Sequence, residues 1–259
     1  MRRAGASGAR LVQFPEGTLS GYAKEQIDGW EEIDFDKVRA QAEAVSRLAG
    51  ELGVWVVLGS AHRLTEPNRP HNSLYVISDQ GLVFDRYDKR ICSHSEITEY
   101  FSPGFEPIVF DVDGFRFGCA ICVEINFPQL FSAYERLGVD CLLLSAYPSR
   151  SSELGQGVPD SIFEVKARAH ASINCYWVAL SAPQQTADLV PSGLIGPNGA
   201  KLAEALAGED LVIATLDREA KDLQVALTMA RPWRTSAMVG EIYRSHQVTD
   251  QRSRDRHCL

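Results

Sequence analysis

Cys122 closes the apolar run Phe117-Gly118-Cys119-Ala120-Ile121-Cys122 and is followed by Val123-Glu124 and a helical pattern from about Phe127. A thiol at a strand's end, ahead of a helix N-terminus, meets backbone N–H groups that can hold a developing oxyanion and a dipole that favours the thiolate. A buried, inert cysteine fits the same run. Cys119 and Cys122 also form a C-x-x-C. A zinc site would need a second pair, and a redox motif would not sit inside a strand, so both are set aside. Lys89 lies in Tyr87-Asp88-Lys89-Arg90, where a strand leaves its sheet. It would place a point charge on an oxyanion or a leaving nitrogen, or simply stand solvated at a strand end. Glu16, in Phe14-Pro15-Glu16-Gly17, follows an apolar segment and a rigid proline. It is either a general base for a thiol or water, or an ordinary loop carboxylate.

These three positions are held by elements that alternate between strand and helix patterns. Phe35, Val38, Val45, Leu48 and Leu52 recur at helical spacing over 35–52, with Gly53 as the stop. Val54-Trp55-Val56-Val57-Leu58 reads as a buried strand. Ser73 to Ser78 and Leu82 to Tyr87 form a hairpin around Asp79-Gln80-Gly81, and Ile108–Val112 joins Phe115–Ile121 through Asp113-Gly114, a strong two-residue turn signal. Phe127, Leu130, Phe131, Tyr134 and Leu137 mark a helical face ending at Gly138. Strands are expected at Cys141–Leu144, Tyr176–Leu180, Ser192–Ile195 and Leu211–Leu216, and a helix at Ile162–Ile173. The pattern implies an α/β layered fold with a mixed sheet. There is no repeat or low-complexity linker, so 1–244 reads as one domain, followed by a polar tail over 245–259.

The 259 residues carry a net charge of −8, which argues against nucleic acid as the main partner, because phosphate binding needs clustered Lys and Arg. No apolar run approaches the roughly 20 residues that cross a bilayer, and the N-terminus has no apolar signal region. The expectation is a cytoplasmic protein with its six cysteines reduced. No ligand cluster has metal spacing, so no metal and no cofactor are expected.

Taken together, Glu16, Lys89 and Cys122 with their neighbours resemble the nitrilase superfamily of carbon–nitrogen hydrolases. Phe14-Pro15-Glu16-Gly17 with Ser20-Gly21-Tyr22 looks like its glutamate segment, and Tyr87-Asp88-Lys89-Arg90 like its lysine segment. Phe101-Ser102-Pro103-Gly104, Gly118 to Cys122 and Asn126-Phe127-Pro128 look like the approach to its cysteine and the helix beyond. Lys166-Ala167-Arg168-Ala169, Asn174 and Ser192 to Gly199 are also similar. The resemblance implies a four-layer αββα sandwich with mixed sheets, paired into a homodimer or higher oligomer. It implies an amidase-type hydrolase of a small linear amide or N-carbamoyl compound, working through a thioester on Cys122. Glu16 would be the base, and Lys89 and the Val123 N–H the oxyanion holders. A second glutamate would position these groups, Glu96 in preference to Glu99, and Tyr147 would lie against the substrate. Glu124 is expected as an ion-pair partner of Arg168.

The match has departures. The family begins with a strand and helix before its first glutamate, whereas only fifteen residues precede Glu16 here, which would leave a sheet neighbour unpaired. Gln129, Ser145 and Ser181 replace commoner residues near the family's substrate pocket. Two alternatives remain: a catalytically impaired relative acting as a folded or binding protein, and a true nitrilase. The latter is disfavoured because Cys122-Val123-Glu124 lacks the tryptophan nitrilases carry after the cysteine.

Overall fold

A computed structural model describes residues 1–23, 25–148, 162–205, 208, 211–240, 244 and 246. The tail expected over 245–259 falls almost wholly outside these. Two sheets face each other. The first, in order β1-β2-β3-β4, comprises β1 (Leu11–Gln13), β2 (Trp55–His62), β3 (His71–Ile77) and β4 (Val83–Asp88). The second runs β10-β9-β8-β7-β6-β5. Its members are β5 (Val109–Val112), β6 (Phe115–Ile121), β7 (Cys141–Ser145), β8 (Trp177–Ser181), β9 (Gly193–Ile195) and β10 (Lys201–Glu204).

The core between the sheets joins Val57, Leu74, Val76 and Tyr87 of the first to Phe117, Cys119, Ile121, Leu143 and Trp177 of the second. Apolar residues on the opposite strand faces bury against helices, as period-two alternation requires. Helices α1 (Arg2–Ala6) and α2 (Phe35–Leu52) cover the first sheet, with Ala4 and Ala49 packed on Val56, Leu58 and Ile77. Helices α3 (Pro128–Arg136) and α4 (Ile162–Asn174) cover the second, with Phe131, Tyr134, Ala167 and Ala171 packed on Leu142, Leu144 and Val178. The result is the expected αββα layering of mixed sheets. A fifth helix, α5 (Arg231–Met238), follows the last layers.

Local signals explain the boundaries. Asp34 caps α2 by accepting from the Lys37 N–H, and Gly53 ends it in the left-handed region at φ 62°. Asp113 and Gly114 both take positive φ, 48° and 81°, as a two-residue hairpin turn demands.

One expected strand is not formed. Residues 211–216 adopt no regular structure, and the second sheet instead ends at β10, which pairs antiparallel with β9. Leu211 and Leu216 still pack on the cores, so burial explains their apolar character without a ladder partner. β1 pairs only with β2 and forms the free edge of its sheet. Among the described residues no helix is long and apolar enough to cross a membrane.

Candidate active site

Glu16 leaves the end of β1 through Pro15, and its backbone crosses directly over Gly59 of β2. Any Cβ on Gly59 would collide with the Pro15 carbonyl oxygen and crowd the Glu16 Cα, so only glycine admits the approach. Lys89 follows β4, its N–H bonded to the Asn72 carbonyl at 2.8 Å. Glu96 opens a short helical turn, Glu96–Tyr100, between the two sheets' sequences. Cys122 directly follows β6 and opens a 3-10 turn, Cys122–Asn126, at φ 45°. A non-glycine residue in the left-handed region carries backbone strain of the kind concentrated at functional sites.

These side chains converge. Lys89 Nζ donates to Glu16 Oε1 at 2.9 Å and to Glu96 Oε1 at 2.7 Å, with all three residues at most 3% exposed. Asn72 Nδ2 donates to the same Glu16 oxygen at 2.7 Å and to Glu96 Oε1 at 3.4 Å. Ser93 N–H donates to Glu96 Oε2 at 2.6 Å, and Tyr147 N–H to Glu16 Oε2 at 2.9 Å. The Cys122 Sγ lies 3.8 Å from the Tyr147 carbonyl oxygen. Tyr147 therefore touches the carboxylate through one backbone group and the thiol through the other.

The electrostatics follow from two buried carboxylates sharing one ammonium. Burial pushes Glu16 above the ordinary carboxylate value, and Glu96 adds to the rise, while Lys89 opposes it. Glu96 is held below that value because Lys89 and the Ser93 hydrogen bonds outweigh its own burial. Burial would lower Lys89, but the two carboxylates overcome this and hold it firmly protonated. The Cys122 thiol is pushed up by burial and by Glu16 and Glu96, with Lys89 opposing. The 3-10 turn separates the thiol from α3.

Other expected positions divide. Glu99 is exposed, so of the two candidate glutamates only Glu96 reaches Lys89. Val123 follows Cys122 in the turn. Glu124 does not pair with Arg168, which bonds the Gly199 carbonyl. Glu124 is fully buried and accepts from the Tyr87 hydroxyl and from the Ile121, Arg90 and Ile91 N–H groups. It thereby ties the turn after Cys122 to the chain beside Lys89. Gln129 is exposed on α3, and the Ser145 and Ser181 hydroxyls bond backbone carbonyls of Phe14 and Gln13.

Asn72 and Gly59 escaped sequence reasoning, since a lone Asn or Gly within a strand pattern carries no sign of what crosses it. Tyr22 was legible only as part of a segment. Its ring stacks on Tyr147 at 4.4 Å, and burial together with nearby Glu16 and Cys122 raises its phenol.

A family model for carbon–nitrogen hydrolases matches residues 1–222. The chain belongs to this family. It is similar to an omega-amidase of Saccharomyces cerevisiae, 25% identical over 225 residues that span 81% of this chain and 75% of the relative. It is equally similar to an omega-amidase of Xenopus tropicalis, 25% identical over 233 residues, 85% and 80% of the two chains. Among solved structures, an amidase from Nesterenkonia sp. AN1 superposes with a TM-score of 0.67 at 21% identity, covering 79% of this chain and 76% of that one. That structure carries the acetamide moiety of fluoroacetamide on its active-site cysteine. Within the family, the chain is a nitrilase-superfamily member of the amidase-like branch, a cysteine-dependent carbon–nitrogen hydrolase.

Proposed function

We propose that the protein hydrolyses the carbon–nitrogen bond of a small linear amide or N-carbamoyl compound through a thioester on Cys122. The observation that carries this reading is the buried Glu16–Lys89–Glu96 cluster joined to Cys122 through the Tyr147 backbone. Glu16 accepts the thiol proton as the sulfur attacks the carbonyl carbon. A raised carboxyl is the better base near neutral pH, because its proton affinity lies closer to that of the thiol. Lys89 and the Val123 N–H stabilise the tetrahedral oxyanion. When the intermediate collapses, the C–N bond breaks and the amine or ammonia leaves with the proton held by Glu16. Water, deprotonated by Glu16, then cleaves the thioester and regenerates the thiol. Glu96 touches no reacting atom in this scheme and keeps Lys89 charged and in place.

A homodimer fits the same reading, since α4 exposes Val165 and Ile173 and the helical segment over 225–238 exposes Val225, Met229 and Trp233. Sedimentation of the intact protein would reveal a monomer if that is wrong.

Cys122→Ala should abolish ammonia release across an amide panel, and mass spectrometry of Cys122-containing peptides should trap an acyl adduct in the wild type. Undiminished turnover by Cys122→Ala would exclude the mechanism.

A further inference from the structure

The Glu16-bearing strand has little to hold it in its own sheet. β1 is three residues long, sits at an edge and pairs with β2 alone, through Leu11↔Trp55, Val12↔Val56 and Gln13↔Val57. One further backbone bond, Phe14 N–H to the Val57 carbonyl at 2.8 Å, follows before the chain turns outward at Pro15. What holds the other side comes from the second sheet. Ser145, wholly buried at the end of β7, donates its hydroxyl to the Phe14 carbonyl at 2.8 Å and accepts from Gln13 Nε2 at 3.2 Å. Gln13 Nε2 also reaches the Ala179 carbonyl at 3.5 Å, and the Ser181 hydroxyl reaches the Gln13 carbonyl at 3.4 Å.

Ser145 is also registered to the nucleophile. In the parallel β6–β7 ladder it stands opposite Ile121, the residue before Cys122. It is two residues before Tyr147, whose N–H holds Glu16 Oε2. One short segment, 145–147, is thus fixed to the thiol's strand by the ladder and to the carboxylate's strand by a side-chain and a backbone hydrogen bond.

We propose that Ser145 is a positioning residue that sets the separation between the Cys122 thiol and the Glu16 carboxylate across the two sheets. This rests on the reading of Glu16 as base and Cys122 as nucleophile. Removing the hydroxyl takes away the Phe14 carbonyl's cross-sheet donor and loosens an edge strand with one ladder neighbour. The Glu16 carboxylate then loses its alignment with the sulfur while its charge remains.

The test is the rate of Cys122 alkylation by iodoacetamide between pH 5 and 10, read by peptide mass spectrometry on the full-length protein, with ammonia release as a second readout. Ser145→Ala should lower ammonia release at neutral pH by on the order of tenfold, below the hundredfold attached to misplacement by a full ångström. It should also move the alkylation profile towards that of Glu16→Gln. Ser145→Thr, which keeps the hydroxyl, should restore the wild-type profile. Ser181→Ala, which removes only the longer bond, should leave it nearly unchanged. A Ser145→Ala profile superimposed on the wild type overturns the proposal, as does an equal shift in Ser145→Thr, which would assign the effect to packing. If Glu16→Gln itself leaves Cys122 alkylation unaltered, the base assignment fails instead, and the two failures are distinguished.

Discussion

Glu16 and Glu96 share one lysine and one asparagine, yet their surroundings push them in opposite directions. Glu96 sits at the opening of a helical turn and takes a 2.6 Å bond from the Ser93 N–H, so its charge is held where it forms. Glu16 lies deeper between the sheets, and the cost of burying its charge exceeds what Lys89, Asn72 and the Tyr147 N–H return. One ammonium cannot neutralise two buried carboxylates, and the fold eases protonation at Glu16 while opposing it at Glu96. Under the proposed function, the same division separates a group that holds from a group that reacts.

Breaking the shared cation tests this most severely. Lys89→Met would leave both carboxylates buried without a counter-charge and should lower stability by about 3–5 kcal/mol, alongside loss of activity. Denaturant unfolding measures it, and a variant as stable as the wild type would show that the cluster is not ionised as described.

The two carboxylates can next be set against each other. Glu96→Gln should destabilise by about 1.5–3 kcal/mol at neutral pH, the range for losing a charged hydrogen-bond partner. Its deficit should shrink in acid, because a depressed carboxyl contributes stability above its unfolded value that disappears as pH falls through the folded value. Glu16→Gln should end activity but keep stability, with a Tm that gains on the wild type as pH rises above the ordinary carboxylate range. There a raised carboxyl costs the folded state progressively more until it ionises. Parallel Tm curves for the two variants from pH 4 to 8 would erase the distinction.

The smallest effect belongs to Asn72. Its amide stabilises the Glu16 carboxylate, so Asn72→Ala should raise Glu16 further and move the acid limb of the pH–rate profile to higher pH, with stability lowered by about 1 kcal/mol. An unmoved limb would reduce the bond to a structural one.

The αββα layering, most strand positions and the candidacy of Glu16, Lys89 and Cys122 were legible because each depends on local pattern: alternation, turn residues, and short segments around each side chain. The preference for Glu96 over Glu99 was legible only as spacing, and the structure separates them by burial. Leu211–Leu216 misled because an apolar stretch reports burial, whereas a strand needs a neighbour with free backbone groups. Glu124 misled because the resemblance supplied an acid at that position without its partner, and here backbone N–H groups and a tyrosine hydroxyl do the holding.

By itself the sequence determined the layers, the family and the candidate site residues, since these follow from hydrophobic period and short-range motif. Only the tertiary structure decided the protonation of the site and the parts played by Asn72, Gly59, Ser145 and Glu124. Charge burial and cross-sheet hydrogen bonds depend on residues far apart along the chain, and no periodicity records which of them will meet.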